Sequence, residues 1–342
     1  MNKAKNVMLL LVGVFFGFAV TVRALDGTWT NDASTAWSVA GSWLSGAVAG
    51  GAGSVADFSA VDITADRKVT LDLPLSVGTL KFGDAGTADH NWALDASGNS
   101  VLTLDMGTTT AAVVFVGNQT ATVSLGLTGT NGVAKTGAGT LVWTGNTVSL
   151  TGGSLQVRNG TLALTNATYN STANATDSIG KNAGDFAVLR IQGTSLVQRT
   201  RGSVYVGDAV GSTGLVYMTG GTYVNPADTY IGNAGFGVFV QTGGQIWNNG
   251  EFDPGGGAPS AYGYYQLSGG SLNVNNWLQP SRFGLGLFYQ DNGTIAVTNF
   301  SYGLVLSDCG SGTGVLYQTG GILSVPFVGL AWAAGARGEL TV

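Results

Sequence analysis

The chain repeats one short unit, a strand closed by a Gly-Gly corner. It reads Leu215-Val216-Tyr217-Met218-Thr219-Gly220-Gly221 and then Val238-Phe239-Val240-Gln241-Thr242-Gly243-Gly244. It returns as Tyr264-Tyr265-Gln266-Leu267-Ser268-Gly269-Gly270, Leu287-Phe288-Tyr289-Gln290-Asp291-Asn292-Gly293 and Val315-Leu316-Tyr317-Gln318-Thr319-Gly320-Gly321. The second small residue of each closing pair falls at positions 221, 244, 270, 293 and 321. A mean step of about 25 residues is the signature of a solenoid.

Each unit contains three short strand signals. Counted from Gly214, these are Leu215–Thr219, then Gly221-Thr222-Tyr223-Val224, then Thr229-Tyr230-Ile231 before the turn Gly232-Asn233-Ala234-Gly235. The next unit answers with Val238–Thr242 and Gln245-Ile246-Trp247, followed by a longer polar excursion from Asn248 to Ser260. Three strands and three turns in so short a repeat leave no room for a crossover helix, and Gly-Gly corners are not two-residue hairpin loops. The spacing predicts an all-β fold, a right-handed parallel β-helix whose coils stack about 4.8 Å apart. Residues 131–342 then form about eight regular coils, a rod on the order of 40 Å long. Alternation predicts Leu215, Tyr217, Val224 and Ile231 in the interior, stacked on Val238, Val240 and Ile246 of the next coil. The glycine corners let the backbone bend where a Cβ would collide with the coil stacked above.

Before the regular coils, residues 25–130 read as a β-rich cap with irregular first coils. Val69, Leu71, Leu73, Leu80, Phe82, Leu102 and Leu104 alternate as strand residues do. Trp29, Trp37 and Trp43 sit among small residues. A solenoid exposes unpaired strand edges at its ends, and an aromatic plug there would cover one. The rival reading of these indoles is carbohydrate contact.

Residues 1–24 read as a cleaved signal peptide. Lys3 and Lys5 give a basic start, Val7 to Val22 an apolar run, and Val22-Arg23-Ala24 a small-x-small cleavage site, so the mature chain begins near Leu25. A membrane anchor is the alternative, but it needs about 20 apolar residues. Removing Lys3, Lys5 and Arg23 takes the net charge from −5 to −8. An acidic chain without a basic stripe excludes nucleic acid as a partner. Lys181, Arg190, Arg199 and Arg201 cluster loosely in sequence and read as a solvated face. No other apolar stretch is long enough to span a membrane.

Charged residues make up 10% of the chain, against about 25% in ordinary globular proteins. Of the 19 acidic residues only Glu251 and Glu339 are glutamate, and glycine contributes 56 positions. Helix-favouring surfaces are therefore scarce, whereas turns needing a left-handed backbone are well supplied. The single cysteine, Cys309, excludes an internal disulfide, so stability must come from repetition. A catalytic role would need an activating neighbour, and the only histidine is His90, which favours a turn or buried cysteine.

One segment goes beyond periodicity. Lys135, Gly137, Gly139, Thr140, Leu141, Gly145 and Asn146 are followed by Thr151, Gly152, Gly153, Val157, Gly160, Thr161, Leu162 and Leu164. This pattern resembles the autotransporter-associated β-strand repeat, with Ser154 where the family usually has threonine and Trp143 where it has leucine. It covers only the stretch from Lys135 to Leu164, and the later coils look like degenerate relatives. The resemblance implies a bacterial passenger-like protein, secreted or displayed at the outer-membrane surface, adhesive or structural in role. It also implies a translocator, which this chain does not contain as a barrel. The segment Gly338-Glu339-Leu340-Thr341-Val342 aligns with the first strand of a further coil, so the helix reads as incomplete at its C-terminus, a truncated fragment or a coil left open for a partner.

The serious rival is a polysaccharide-acting lyase or hydrolase, because β-helices include such enzymes. The candidate acids are Asp228, Glu251, Asp253, Asp291 and Asp308. Glu251 and Asp253 would share a face if extended, but their setting reads as a polar turn. No acid is seen to recur at coil spacing, and Gly255-Gly256-Gly257 lacks the lysine and helix of a phosphate loop. The expectation is therefore no catalytic, metal or cofactor residue, and not an enzyme. Trp247, Tyr262, Trp277 and Phe283, near the excursion, are candidates for stacking on extracellular glycans, though core or ladder roles are the simpler reading of them.

Overall fold

The structure, a computed structural model, describes residues 24–342, so the expected leader lies outside the described residues except for Ala24. The described chain winds as a parallel β-solenoid with three faces. The first face runs over ten strands from Gly27–Thr28 to Phe252–Pro254, and the second over thirteen from Thr35–Ala36 to Arg337–Thr341. The third carries eleven, from Leu75–Val77 to Ile322–Ser324. Single bridges through Leu278 and the pair Leu304–Val305 and Val328–Gly329 extend the first face. Two short 3-10 turns, Ala40–Ser42 and Leu44–Gly46, are the only helical segments among the described residues.

The repeat spacing is the ladder register. On the second face Leu215 pairs with Val238, then Tyr264, Leu287 and Val315 follow in line, the same steps that separate the glycine corners. Those corners adopt left-handed backbone, with φ of +78° at Gly244 and +82° at Gly270. They also stack on one another: a Cβ on Gly244 would lie 2.6 Å from the Gly221 carbonyl oxygen, and one on Gly293 2.7 Å from that of Gly270. The obstruction is the preceding coil rather than the one above. Gly338 pairs with Gly314, so the last strand does open a further coil on the second face.

The interior departs from expectation by one residue on the second face. Its strand begins at Thr213, and the inward residues are Gly214, Val216 and Met218, not Leu215 and Tyr217. In the next coil Phe239 and Gln241 point inward and Val238 and Val240 outward; on the third face Tyr223 is buried and Val224 is not. Ile231 and Ile246 are fully buried, as expected. The glycine sets the phase. At Gly214 the turn leaving the first face passes so close that a Cβ would meet the Ile179 carbonyl and the Gly207 amide, so this slot must face inward. Gln241 then serves the corner from inside, donating through Nε2 to the carbonyls of Gly244 and Ser271, each at 3.1 Å.

Residues before 131 belong to the same three ladders. Ala112–Val116 pairs with Val133–Thr136, and Thr120–Val123 with Thr140–Thr144. Their irregularity lies in coil length: the coil that brings Thr35 to Val69 is far longer than the one that brings Thr120 to Thr140. At the N-terminal end Trp29, Trp37 and Trp43 are buried around Phe58, with ring centroids 5.1–5.5 Å apart. All three indole N–H groups donate to backbone carbonyls. The indoles form a plug, and their faces are closed to a sugar.

Candidate functional site

The segment from Lys135 to Leu164 closes one full coil, since Thr140 pairs with Thr161. Lys135 lies inside the corner, where Nζ donates to the carbonyls of Thr136, Gly137 and Asn159 at 3.0, 2.7 and 2.8 Å. Burial pulls its pKa down to about 7, but the three carbonyls take the full donor complement of an ammonium. Asn146 Nδ2 donates to the Leu125 carbonyl at 2.8 Å. Lys135 and the Asn146 amide N–H thus serve backbone carbonyls, while Asn146 Oδ1 and Trp143 Nε1 are buried without a partner.

The acids of the first face do come together. Asp228 and Glu251 immediately precede the paired residues Thr229 and Phe252, and so occupy the same position of adjacent coils. An acid therefore does recur at coil spacing, contrary to the sequence reading. Asp228 Oδ1 accepts the Glu251 backbone N–H at 2.9 Å. Arg282, from the following coil, donates Nη1 to Glu251 Oε2 at 2.8 Å and to the Tyr230 hydroxyl at 3.2 Å. Tyr230 stacks on Tyr205 with centroids 5.3 Å apart.

Asp253 is the unusual member. It pairs with Tyr230 on the outward side of the sheet, yet it is fully buried and neither carboxyl oxygen has a hydrogen-bond partner. Asn248 to Ser260 is not one excursion: Phe252–Pro254 is a strand of the first face, and the loop proper starts at Gly255. That loop covers the carboxyl, for a Cβ on Gly256 would lie 2.6 Å from Asp253 Cβ and 2.8 Å from Tyr230 Cδ1. Burial, reinforced by the Glu251 charge, pushes the Asp253 pKa well above the ordinary carboxylate range. Burial also raises Glu251, and Arg282 opposes that shift. A neutral acid beside an arginine-held carboxylate has the components of acid–base chemistry; the glycine loop buries Asp253, while the Glu251 and Arg282 side chains stay part-exposed.

Of the remaining candidates Asp291 and His90 lie apart, whereas Asp308 and Cys309 sit beside the same cluster, where the Asp308 charge adds to the upward shift of Glu251 and Asp253. Asp291 is an exposed turn residue. Asp308 Oδ2 is 3.5 Å from Gln279 Nε2, and Cys309 sits in the same turn, its thiol pKa raised by burial and then by Asp308. His90, many coils from Cys309, has its Nδ1 3.1 Å from Asp84 Oδ2. Among the described residues no group of three or more His, Cys, Asp or Glu is placed to hold a metal ion. Trp247 is exposed on the third face, whereas Trp277 packs against Tyr302, Phe327 and Trp332. The basic residues do not form one patch either: Arg199 is buried in the interior beside Asp177, while Arg190 lies outside over the Tyr217 ring.

Sequence reasoning missed a surface. The residues wrongly assigned to the core form the outer side of the second face. Three outward columns run along it: Leu215, Val238, Tyr264, Leu287, Val315; Tyr217, Val240, Gln266, Tyr289, Tyr317; and Thr213, Phe236, Tyr262, Leu285, Thr313. None of these fifteen positions is charged. Phe236 and Tyr262 stack at 4.9 Å and 6°, Tyr289 and Tyr317 at 5.8 Å and 11°. In earlier coils the same columns read Val188, Thr161 and Thr140, then Arg190, Ala163 and Val142, then Phe186 and Asn159, and in the last coil they end at Glu339, Thr341 and Arg337. The available signal was that these strands are apolar on both sides, whereas a solvated outer side should be polar.

Fold and surface together define a parallel β-solenoid with an uncharged aromatic strip on its longest sheet and, on another face, a part-exposed Glu251–Arg282 pair beside the buried Asp253. No family model, curated protein or solved structure matches the chain.

Proposed function

We propose that the chain is a passenger-like β-solenoid of the autotransporter-associated repeat type, exported after cleavage near Ala24 and displayed at or released from the bacterial surface. Its role is adhesive or structural, and its partners are extracellular glycans or other cell-surface components; an outer-membrane translocator would carry it across. The carrying observation is the outer strip, because an exposed apolar patch of this extent marks an interaction surface. No helix among the described residues is long and apolar enough to cross a membrane. The test is to label unpermeabilised cells with antibody, and to compare adhesion of cells displaying the wild type and the pair Tyr217→Ser, Tyr289→Ser. Surface labelling with adhesion lost in the variant supports the reading; protein confined inside the cell sinks it.

A polysaccharide-acting enzyme is the second reading, favoured by Asp253 and Glu251 lying beside Arg282. Incubation with pectin- and alginate-like polymers tests it. New reducing or unsaturated ends that vanish in Glu251→Gln would put catalysis first.

A further inference from the structure

We propose that the outer strip of the second face is a self-association surface, on which a second copy of this chain packs face to face about a two-fold axis near Tyr264 and Leu287. The inference rests on the reading of the strip as an interaction surface and names its partner.

Three properties of the strip select the occupant. The first is charge. The whole chain carries a net charge of −5, so two copies repel across most of their surfaces. The strip is where they can meet without opposing like charges, since no column residue from Thr213 to Tyr317 is ionised. The columns end at Arg190 in the coil before and at Arg337 and Glu339 in the coil after, a rim of both signs that suits a second copy turned about a two-fold axis, whereas a leaflet of anionic lipid calls for a basic cluster.

The second is ring orientation. Phe236 lies parallel to Tyr262 and Tyr289 to Tyr317, each ring covering its neighbour's face along the rod. Ring edges and aliphatic tips point outward, which suits interdigitation with another sheet about 10 Å away. A sugar needs a free ring face, and the stacked rings offer few.

The third is size. The five strands from Thr213–Met218 to Thr313–Gln318 span about 24 Å along the rod, and each runs about 20 Å across it. The projected patch is then about 500 Å² per copy, or about 1,000 Å² for the pair, at the lower end of specific interfaces. An isologous contact of that size predicts a reversible dimer that dissociates on dilution.

Sedimentation velocity of the purified chain between about 1 and 100 μM reads the result, with dissociation expected near the micromolar range for so small an interface. The wild type is expected to pass from monomer to dimer, and Leu287→Lys to stay monomeric with unchanged circular dichroism and melting temperature. Gln198→Lys, on the exposed side of the third face, should dimerise like the wild type. Should Leu287→Lys fail to fold, Tyr264→Cys in a Cys309→Ser background decides: a bis-maleimide reagent with a spacer of about 10 Å should link two copies through it and should not link Gln198→Cys. A wild type monomeric throughout with no such cross-link overturns the proposal, as does a dimer that survives Leu287→Lys. A monomer whose strip variants still lose adhesion overturns self-association and leaves the surface role standing.

Discussion

Asp253 carries a cost that depends on pH. In the unfolded chain its carboxyl titrates at the ordinary value of 3.8, whereas burial in the fold keeps the proton on to much higher pH. Above that ordinary value the unfolded state gives up a proton which the folded state retains, so stability falls as pH rises towards the folded pKa. Asp253→Asn cannot ionise in either state. The variant should melt with the wild type near pH 4 and above it at pH 7, a comparison that thermal denaturation at the two pH values makes directly. Equal melting at both would mean that Asp253 is not held neutral. Nothing in the local sequence Glu251-Phe252-Asp253-Pro254 announces this burial, because the covering atoms belong to Gly256 of the loop and Tyr230 of the coil before.

Each strand of the second face divides its side chains between a packed interior and the outer strip. Phe239 is buried against Tyr223 and Tyr265, whereas Val240 looks outward. Phe239→Ala should cost roughly 3–5 kcal/mol, and Val240→Ala no more than about 0.5 kcal/mol in the monomer; urea unfolding at low protein concentration measures both. The reverse ranking would restore the phase that hydrophobic alternation alone suggests. Arg199 is a second element-scale case. It faces Asp177 inside the coil, where Asp177 also accepts from the Tyr169 hydroxyl and the Leu155 amide, both at 2.8 Å. Asp177→Ala strands a buried guanidinium and should cost about 3–5 kcal/mol. The pair Asp177→Leu with Arg199→Met should recover much of that loss in the same unfolding experiment.

As a whole the rod is a one-dimensional stack, in which each coil is held by its two neighbours. Damage at one end should therefore stay near that end. Trp37→Ala opens the aromatic plug and should cost roughly 3–5 kcal/mol locally. Hydrogen exchange should quicken first in strands such as Arg67–Leu71 and Trp92–Ala96, while Thr213–Met218 keeps its protection. Uniform loss of protection along the chain would contradict the stack and indicate a single cooperative unit.

The sequence alone determined the period, the three strands per coil and the register. These follow from glycine corners whose left-handed backbone no other residue adopts cheaply, so their spacing at 221, 244, 270, 293 and 321 becomes the stacking step. The tryptophan plug was legible for a similar reason, as bulky rings set among small residues. Only the tertiary structure decided which side of each strand faces inward, because Leu215-Val216-Tyr217-Met218 is apolar on both sides and the choice falls to a carbonyl passing Gly214. It also decided which distant residues meet. Asp228, Glu251 and Arg282 come from three successive coils. Asp228 and Glu251 stand the same step apart as Gly221 and Gly244 and were open to that spacing, whereas Arg282 follows the loop that begins at Gly255, whose length no fixed spacing gives.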